Sequence, residues 1–483
     1  MLLHKDINKI SELKPDFTHR WFESDFILGS LTCFKLSSVS KCFEGIKQKG
    51  YDITCLFSIL LSLPYLGKTT IHGFLHSSLS SFVEARKDTF YRLKNKSAID
   101  WRSILWFFSM RFISISNKEN SERSGVRCLI LDDSLLEKRG KYIERVSRVW
   151  DHVSNRSLLG YKILVGMYWD GVSCIPLDFS IHREKGKKAD KPFGLKRKEL
   201  KNQFSKKRDK ESMGWQRAKE TDISKIESAL EIVRRALKKK VEIDYLLMDS
   251  WFTCRAFVDL LIKHKKSGLH LIGMYKGAKT KFDMDGKELT YSQIRERLGK
   301  PVRCRSLGYY YKQSVVKWNG TPVKLFFSRQ GKNGKWKVFL STDTSLSFIE
   351  MVKIYQLRWS IEVFFKEAKQ LLGLGKCQSN DFDAQIADAT MVMIQHLIVT
   401  LRFRYEHYES RGAIFEQDRE RAIRYSLGER LWGLFLELVK VIEILFDGCQ
   451  SDEIMERLLE NEQAEQIINQ LLGGDPRDLH LVA

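Results

Sequence analysis

The sequence predicts an α/β protein whose core is interrupted by a β-rich insertion and flanked by helical regions at both ends. Three observations predict it. Over residues 1–120, and again beyond residue 384, apolar residues recur at three- and four-residue steps, the period of amphipathic helices. Between residues 126 and 275, short apolar runs alternate with amphipathic stretches, the pattern of strands joined by helical crossovers. Residues 276–345 instead alternate apolar and polar side chains one by one, as half-buried strands do.

Taken in order, residues 1–120 form a helical N-terminal region, read as DNA-binding. Within it a basic-aromatic helix, Phe82 to Leu93, is followed by a polar break and a second helix capped by Asp100, an arrangement resembling a helix-turn-helix. Residues 121–275 form the first part of the core. Val126 to Leu131 is a strand that ends at Asp132-Asp133-Ser134. Tyr161 to Trp169 and Val172 to Ile181 are strands joined at Asp170-Gly171, a hairpin signal. The basic, turn-rich segment Arg183 to Lys219 reads as a mobile loop that tracks DNA. A helix follows over Ile226 to Lys240, then a strand over Ile243 to Met248 ending at Asp249, a helix over Arg255 to Lys265 and a strand over Leu269 to Tyr275. Residues 276–345 form the insertion, with turns at Trp318-Asn319-Gly320 and Gly331 to Gly334. Its Trp318 and Trp336 are expected in a core. Residues 346–400 return to the core with a long helix, and residues 401–483 form a helical C-terminal region, a candidate for dimerisation.

At 483 residues the chain exceeds one ordinary hydrophobic core, so several domains are expected. Lys and Arg number 82 against 60 Asp and Glu, a formal charge of +22. Such an excess favours a nucleic-acid partner, because neutralising phosphates releases counterions. The nine cysteines stand singly, without a C-x-x-C pair, which argues against a zinc ribbon and a disulfide framework. The N-terminal residues lack the order of a signal peptide, and the apolar runs Cys55 to Leu66 and Met391 to Leu401 are short for a bilayer. A cytoplasmic protein with no membrane partner is the expectation.

The most informative stretch runs from Tyr355 to Lys369, read as part of one helix. Tyr355, Arg358, Glu362, Lys366 and Lys369 follow at steps of three, four, four and three. At about 100° per residue they fall within an arc of roughly 80°, opposite Leu357, Ile361, Phe364, Ala368, Leu371 and Leu372. One carboxylate among phosphate-binding groups suits a metal ligand beside a polyanion; ion pairing with Glu362 along the helix is the competing reading. Two further carboxylates, Asp132 and Asp249, end predicted strands that a crossover can set side by side, at the sheet edge where α/β proteins bind ligands. Three carboxylates without a His or Cys cluster are hard oxygen donors suited to Mg²⁺ or Mn²⁺. Two such ions would serve in-line phosphoryl transfer. His152 and His182 are read as structural or DNA-facing.

These residues resemble a bacterial insertion-sequence transposase of the DDE class, in the family-four insertion-sequence group marked by the Y-x2-R-x3-E-x6-K signature. The signature is complete at Tyr355, Arg358, Glu362 and Lys369, and Lys366 agrees with a frequent basic position. Leu131-Asp132-Asp133-Ser134 is similar to the family's D-x-[S/T] pattern, and Met248-Asp249-Ser250-Trp251-Phe252 carries the aromatic that commonly follows the second Asp. The resemblance spans roughly residues 126–400. It implies an RNase H-like catalytic core and two divalent ions, Mg²⁺ or Mn²⁺, held by Asp132, Asp249 and Glu362 as catalytic and metal-binding residues. It further implies DNA contacts by Tyr355, Arg358, Lys366 and Lys369, and cut-and-paste transposition of double-stranded DNA by a homodimer. Asp132 and Asp133 adjoin; Asp132 is the expected ligand, because Ser134 then takes the hydroxyl place. A related nuclease and a catalytically retired DNA-binding regulator are the alternatives.

Overall fold

Four consecutive apolar residues, Cys128 to Leu131, are fully buried and open the central strand β1 (Cys128–Glu137). The computed structural model describes residues 34–46, 50–68, 70–77, 85–119, 125–264, 268–405 and 410–420, with isolated positions besides. The chain divides into two units. One comprises Met1–Ser40, Lys47–Arg92 and Leu401–Ala483, the other Lys41–Ile46 and Leu93–Thr400.

In the first unit, α1 (Ile53–Ser62) begins at Asp52, whose carboxylate accepts from the Cys55 N–H at 2.8 Å. Such a side-chain acceptor satisfies one of the four free N–H groups of a helix start. Thr70 caps α2 (Ile71–Leu75) in the same way. Residues 411–420 are helical, and Phe415 stacks on Tyr65 at 4.9 Å. Of the region 401–483 read as dimerising, residues 401–405 and 410–420 are described, and most of the rest lies outside the described residues.

Helix α3 (Lys87–Lys94) starts later than the sequence pattern indicates. The break and the cap are as expected: Asp100 accepts from the Ser103 N–H at 3.0 Å and opens α4 (Trp101–Glu119).

The second unit is built on one mixed sheet. After β1 come β2 (Ser147–Asp151), β3 (Arg156–Trp169) and β4 (Cys174–His182). Short helices α5 (Arg197–Lys201) and α6 (Met213–Glu220) follow, then α7 (Lys225–Lys238), β5 (Tyr245–Met248), α8 (Arg255–Lys263) and β6 (His270–Met274). The hairpin between β3 and β4 is a four-residue loop, not a two-residue turn. Asp170 closes it by accepting from the N–H groups of Val172 and Ser173 at 2.9 and 2.7 Å. In sheet order, β4 lies against β3, β3 against β1, β1 against β5 and β5 against β6. The β1–β5 and β5–β6 pairs are parallel, and the pairs involving β3 are antiparallel. Strand β4 is buried along its whole length, as expected of a strand covered on both faces.

The β-rich stretch comprises β7 (Lys281–Met284), β8 (Lys287–Thr290), α9 (Tyr291–Arg297), β9 (Val302–Cys304), β10 (Tyr309–Trp318), β11 (Thr321–Gln330) and β12 (Lys337–Ser341). It is continuous with the core sheet, because β12 pairs antiparallel with β6. The hairpin turn at Asn319-Gly320 has positive φ at both residues, 47° and 80°, the geometry that matches strand twist. Helix α9 escapes a reading by alternation; its capping box, Thr290 with Gln293, is the signal that marks it. Trp318 is buried, with Tyr275 and Phe282 each 5.6 Å away, whereas Trp336 is only partly covered.

Helix α10 (Phe348–Gln356) follows a Ser347–Glu350 capping box, and α11 (Trp359–Gln370) comes two residues later. The predicted single helix is therefore two. At the joint, Leu357 and Arg358 keep helical dihedrals, but their N–H groups bond three residues back, to Ile354 and Tyr355, the tighter 3₁₀ pattern. The Ser360 hydroxyl donates to the Leu357 carbonyl at 2.7 Å, a local bond that competes with the regular ladder.

Helix α12 (Phe382–Tyr405) absorbs the apolar run at Met391 to Leu401 into a span of 24 residues. By length and composition it could cross a membrane, but 94% of its apolar window is covered by the protein, as in a core helix. Phe364 of α11 meets His396 of α12 edge-on at 4.8 Å.

Basic residues of the segment read as a mobile loop are packed into this framework. The Arg208 side chain is 3% exposed and binds Glu144, Asp381 and Asp383. Lys206 joins it by pairing with both aspartates. Buried carboxylates draw these cations inward, since an unpaired buried charge is costly.

Candidate active site

The β1–β5 ladder determines where the carboxylates lie. Its last parallel pair is Leu131 with Met248. Asp132 and Asp249 are the next residues on the two chains, so the register sets them together at the end of the parallel ladder. Asp249 follows β5 directly, as the sequence indicates. Asp132 does not end its strand: β1 continues to Glu137 because β3 pairs with it along its whole length.

That extension fixes which side each aspartate faces, because neighbouring strand residues project to opposite faces. The Asp132 carboxylate accepts from Arg358 Nη1 at 3.0 Å, at the start of α11. Asp133 instead pairs with Lys225 Nζ at 2.5 Å, at the start of α7. Ser134 shares the Asp132 face, and its hydroxyl oxygen accepts from Lys369 Nζ at 2.7 Å.

Glu362 comes to the site through Arg358, one turn earlier, whose Nη2 binds Oε1 of Glu362 while Nη1 holds Asp132. The guanidinium thus bridges two carboxylates brought from distant parts of the chain. Asp249 Oδ1 accepts from the N–H groups of Trp251 and Phe252 at 2.9 and 3.2 Å. These bonds hold the turn after β5 and fix the carboxylate.

Electrostatics mark Asp132 as unusual. Burial, with the Asp249 carboxylate beside it, pushes its carboxyl up to about 7, against the pull of Arg358 and of the Asp133 N–H. Burial also lifts the Tyr355 hydroxyl to about 12. The Lys369 ammonium is lowered by burial and then by neighbouring Lys162.

The structure brings Asp132, Asp249, Tyr355, Arg358, Glu362 and Lys369 to one edge of the sheet, but their engagements differ from the sequence reading. Tyr355 donates to the Met248 carbonyl at 3.3 Å. Arg358 is occupied by the carboxylates, so the competing reading of an ion pair with Glu362 is realised and extended to Asp132. Lys369 is tied to Ser134, and Lys366 is exposed. Lys225 was missed by sequence reasoning, for no local pattern links it to Asp133, 92 residues away. Its ammonium also lies 4.2 Å from the ring centre of Trp251, which is 54% exposed.

The donor set is all oxygen, the kind that suits a hard divalent cation. Asp132, Asp249 and Glu362 would hold it. Among the described residues, though, no three His, Cys, Asp or Glu side chains are gathered closely enough to bind a metal ion. Arg358 takes that counter-charge role in this arrangement.

Residues 213–398 match the family model described as a transposase DDE domain. The matched span includes Asp249 and Glu362 and begins after Asp132. No curated protein matches the chain. The match likens this part of the chain to the DDE domain of transposases.

Proposed function

We propose that the protein is a DNA transposase of the family-four insertion-sequence group, catalysing cleavage and strand transfer of an insertion sequence by a cut-and-paste route. The observation that carries this reading is the register that sets Asp132 beside Asp249, with Glu362 tied to Asp132 through Arg358. The order of β4, β3, β1, β5 and β6, with β3 antiparallel to its neighbours and the last two joins parallel, supports an RNase H-like core.

In this reading Asp132, Asp249 and Glu362 would hold two Mg²⁺ or Mn²⁺ ions. When bound, they would supply Lewis-acid chemistry for phosphoryl oxygens and for a water or 3′-hydroxyl nucleophile. Arg358 orients Asp132 and Glu362, and the turn after β5 fixes Asp249. Exposed Lys366 is placed to grip a backbone phosphate as a point charge. Lys369, anchored on Ser134, and Tyr355, anchored on Met248, position the scissile strand beside the carboxylates. The enzyme works in the cytoplasm, on the nucleoid, as a homodimer that pairs two transposon ends.

The test is a strand-transfer assay with labelled transposon ends and Mg²⁺. Wild-type protein should cleave and join, and Asp249→Asn and Glu362→Gln should bind ends without cleaving them. Cleavage without joining would point to a nuclease, and binding without cleavage to a DNA-binding regulator. Near-normal cleavage by Glu362→Gln would remove Glu362 from the site.

A further inference from the structure

A second charged surface lies on the β-rich stretch, on the side away from α10. Tyr311 of β10 stacks on Phe348 of α10 at 4.2 Å, and Phe326 of β11 lies 6.5 Å from the same ring. Strand neighbours alternate in direction, so Tyr310, Lys312 and Arg329 project from the opposite face. There, rings and cations interleave. Tyr310 has Arg329 of β11 and Arg303 of β9 as its cross-strand partners, with guanidinium carbons 5.8 and 6.0 Å from its ring centre. Arg329 also stands 4.7 Å from the centre of the Trp336 ring, and Arg295 of α9 lies 5.9 Å from it.

These cations crowd one another. Lys312 is held there by donating to the carbonyls of Arg295 and Leu298 at 2.8 and 2.7 Å. Its ammonium is lowered by burial and then by Arg295 and Arg329. The acidic neighbour is Glu296, itself 71% exposed and 3.5 Å from Arg295, a solvated pair that offsets little. Arg329 Nε is buried without a hydrogen-bond partner. Arg303 and Arg329 flank Tyr310 from β9 and β11, two strand spacings or about 10 Å apart, and Arg295 stands beside them on α9; the three present guanidinium forks of the kind that match phosphate oxygens.

We infer that this face, through Arg295, Arg303 and Arg329 braced by Tyr310 and Trp336, is a second DNA-binding surface that grips the backbone of double-stranded DNA, apart from the carboxylate site. The inference rests on the transposase reading. A regularly charged duplex fits these fixed, separated forks better than an acidic protein segment, whose carboxylates have no fixed repeat.

The experiment is fluorescence anisotropy of the full-length protein on a random-sequence duplex over a salt series. Each phosphate contact contributes about 0.9 to the slope of log affinity against log salt. Arg303→Ala with Arg329→Ala should therefore lower the slope by about two. Arg329 braces two rings, so Arg303→Glu at an exposed position gives a second reading with little risk to folding; it should lower the slope by at least about one. Unchanged slopes in both variants, with wild-type protein binding normally, would overturn the inference. So would variants that keep duplex binding but lose affinity for an acidic peptide copying residues 452–465. Wild-type protein that binds no duplex would overturn this inference and the transposase reading together, whereas unchanged slopes leave the transposase reading standing.

Discussion

Replacing Arg208 with methionine should destabilise the protein by about 3–5 kcal/mol, the usual cost of removing one partner from a buried ionic cluster. The cluster sets three carboxylates, Glu144, Asp381 and Asp383, against two cations, Lys206 and Arg208. Arg208 makes a two-pronged contact with Glu144, both bonds 2.7 Å, and adds bonds to Asp383 at 3.0 and 3.1 Å and to Asp381 at 3.2 Å. The Arg208 side chain is 3% exposed, and the three carboxylates are 6%, 8% and 2% exposed. Water cannot replace the lost guanidinium, and the local charge moves from −1 to −2. Methionine keeps most of the packing volume, so the loss reports the charge and its hydrogen bonds. Urea unfolding followed by tryptophan fluorescence and circular dichroism measures it, with exposed Lys207→Ala as a control expected within about 0.5 kcal/mol of wild type.

The pH dependence gives a second reading of the same substitution. Burial pushes the Glu144 carboxyl up, but the Arg208 hydrogen bonds and charge bring it below the ordinary range. A carboxyl depressed in the folded state adds stability above its unfolded value, near 4.3, and loses it as pH falls through the folded value. The difference between wild type and Arg208→Met should therefore shrink under acid, since the orphaned carboxyls then take protons. A loss below about 1 kcal/mol, or equal to that of Lys207→Ala, would refute the packed cluster and restore the solvated loop that composition alone suggests.

Asp132→Asn should abolish strand cleavage, whereas Asp133→Asn, on the other face of β1, should cost about 1 kcal/mol through its Lys225 pair and leave cleavage within tenfold; equal losses of cleavage would contradict the strand register. His182 should make stability fall in mild acid. Burial lowers its imidazole to about 4, with Ser180 and Ile223 at its two ring nitrogens. The unfolded chain takes the proton first, so stability is complete above about 6.5 and drops by up to about 3 kcal/mol as pH falls to 4. His182→Gln should flatten that part of the urea-midpoint profile, and an unchanged profile would exclude His182 as its source. Gly214→Ala should destabilise by about 1–3 kcal/mol, because an added Cβ would lie 2.5 Å from Asp383 Oδ1 and 2.7 Å from Ser97 Cβ. A thermal midpoint equal to wild type would show that α6 can shift away.

How much of this the sequence reveals depends on the range of the interaction concerned. Helices α7 and α8 and strands β5 and β6 follow their apolar patterns closely, because each is set by residues within a few positions of one another. Strand β2 is not legible that way: Ser147–Asp151 is short and finds its place only by pairing with β3. The basic segment fails for the same reason in reverse. Its composition reads as solvated charge, and the acids that bury Lys206 and Arg208 lie 62 to 177 residues away. Tertiary pairing overrides local composition wherever a buried opposite charge is present to accept it.

The candidate site shows the same division within single residues. Spacing alone sets Arg358 one turn before Glu362, and their ion pair follows from helix geometry. Its other partner, Asp132, is 226 residues distant and is reached only because β1 and β5 run in parallel register beneath α11. The choice between Asp132 and Asp133 is likewise undetermined by the string Asp132-Asp133-Ser134. It follows from β1 continuing past Leu131 against β3, which sends Asp132 and Ser134 toward Arg358 and Lys369 and turns Asp133 toward Lys225. A strand ending at Leu131 would leave both aspartates in a loop, free to face either way. The β1–β3 pairing is therefore what sorts a run of two acids into one carboxylate held by Arg358 beside Asp249 and one held by Lys225 on the other face.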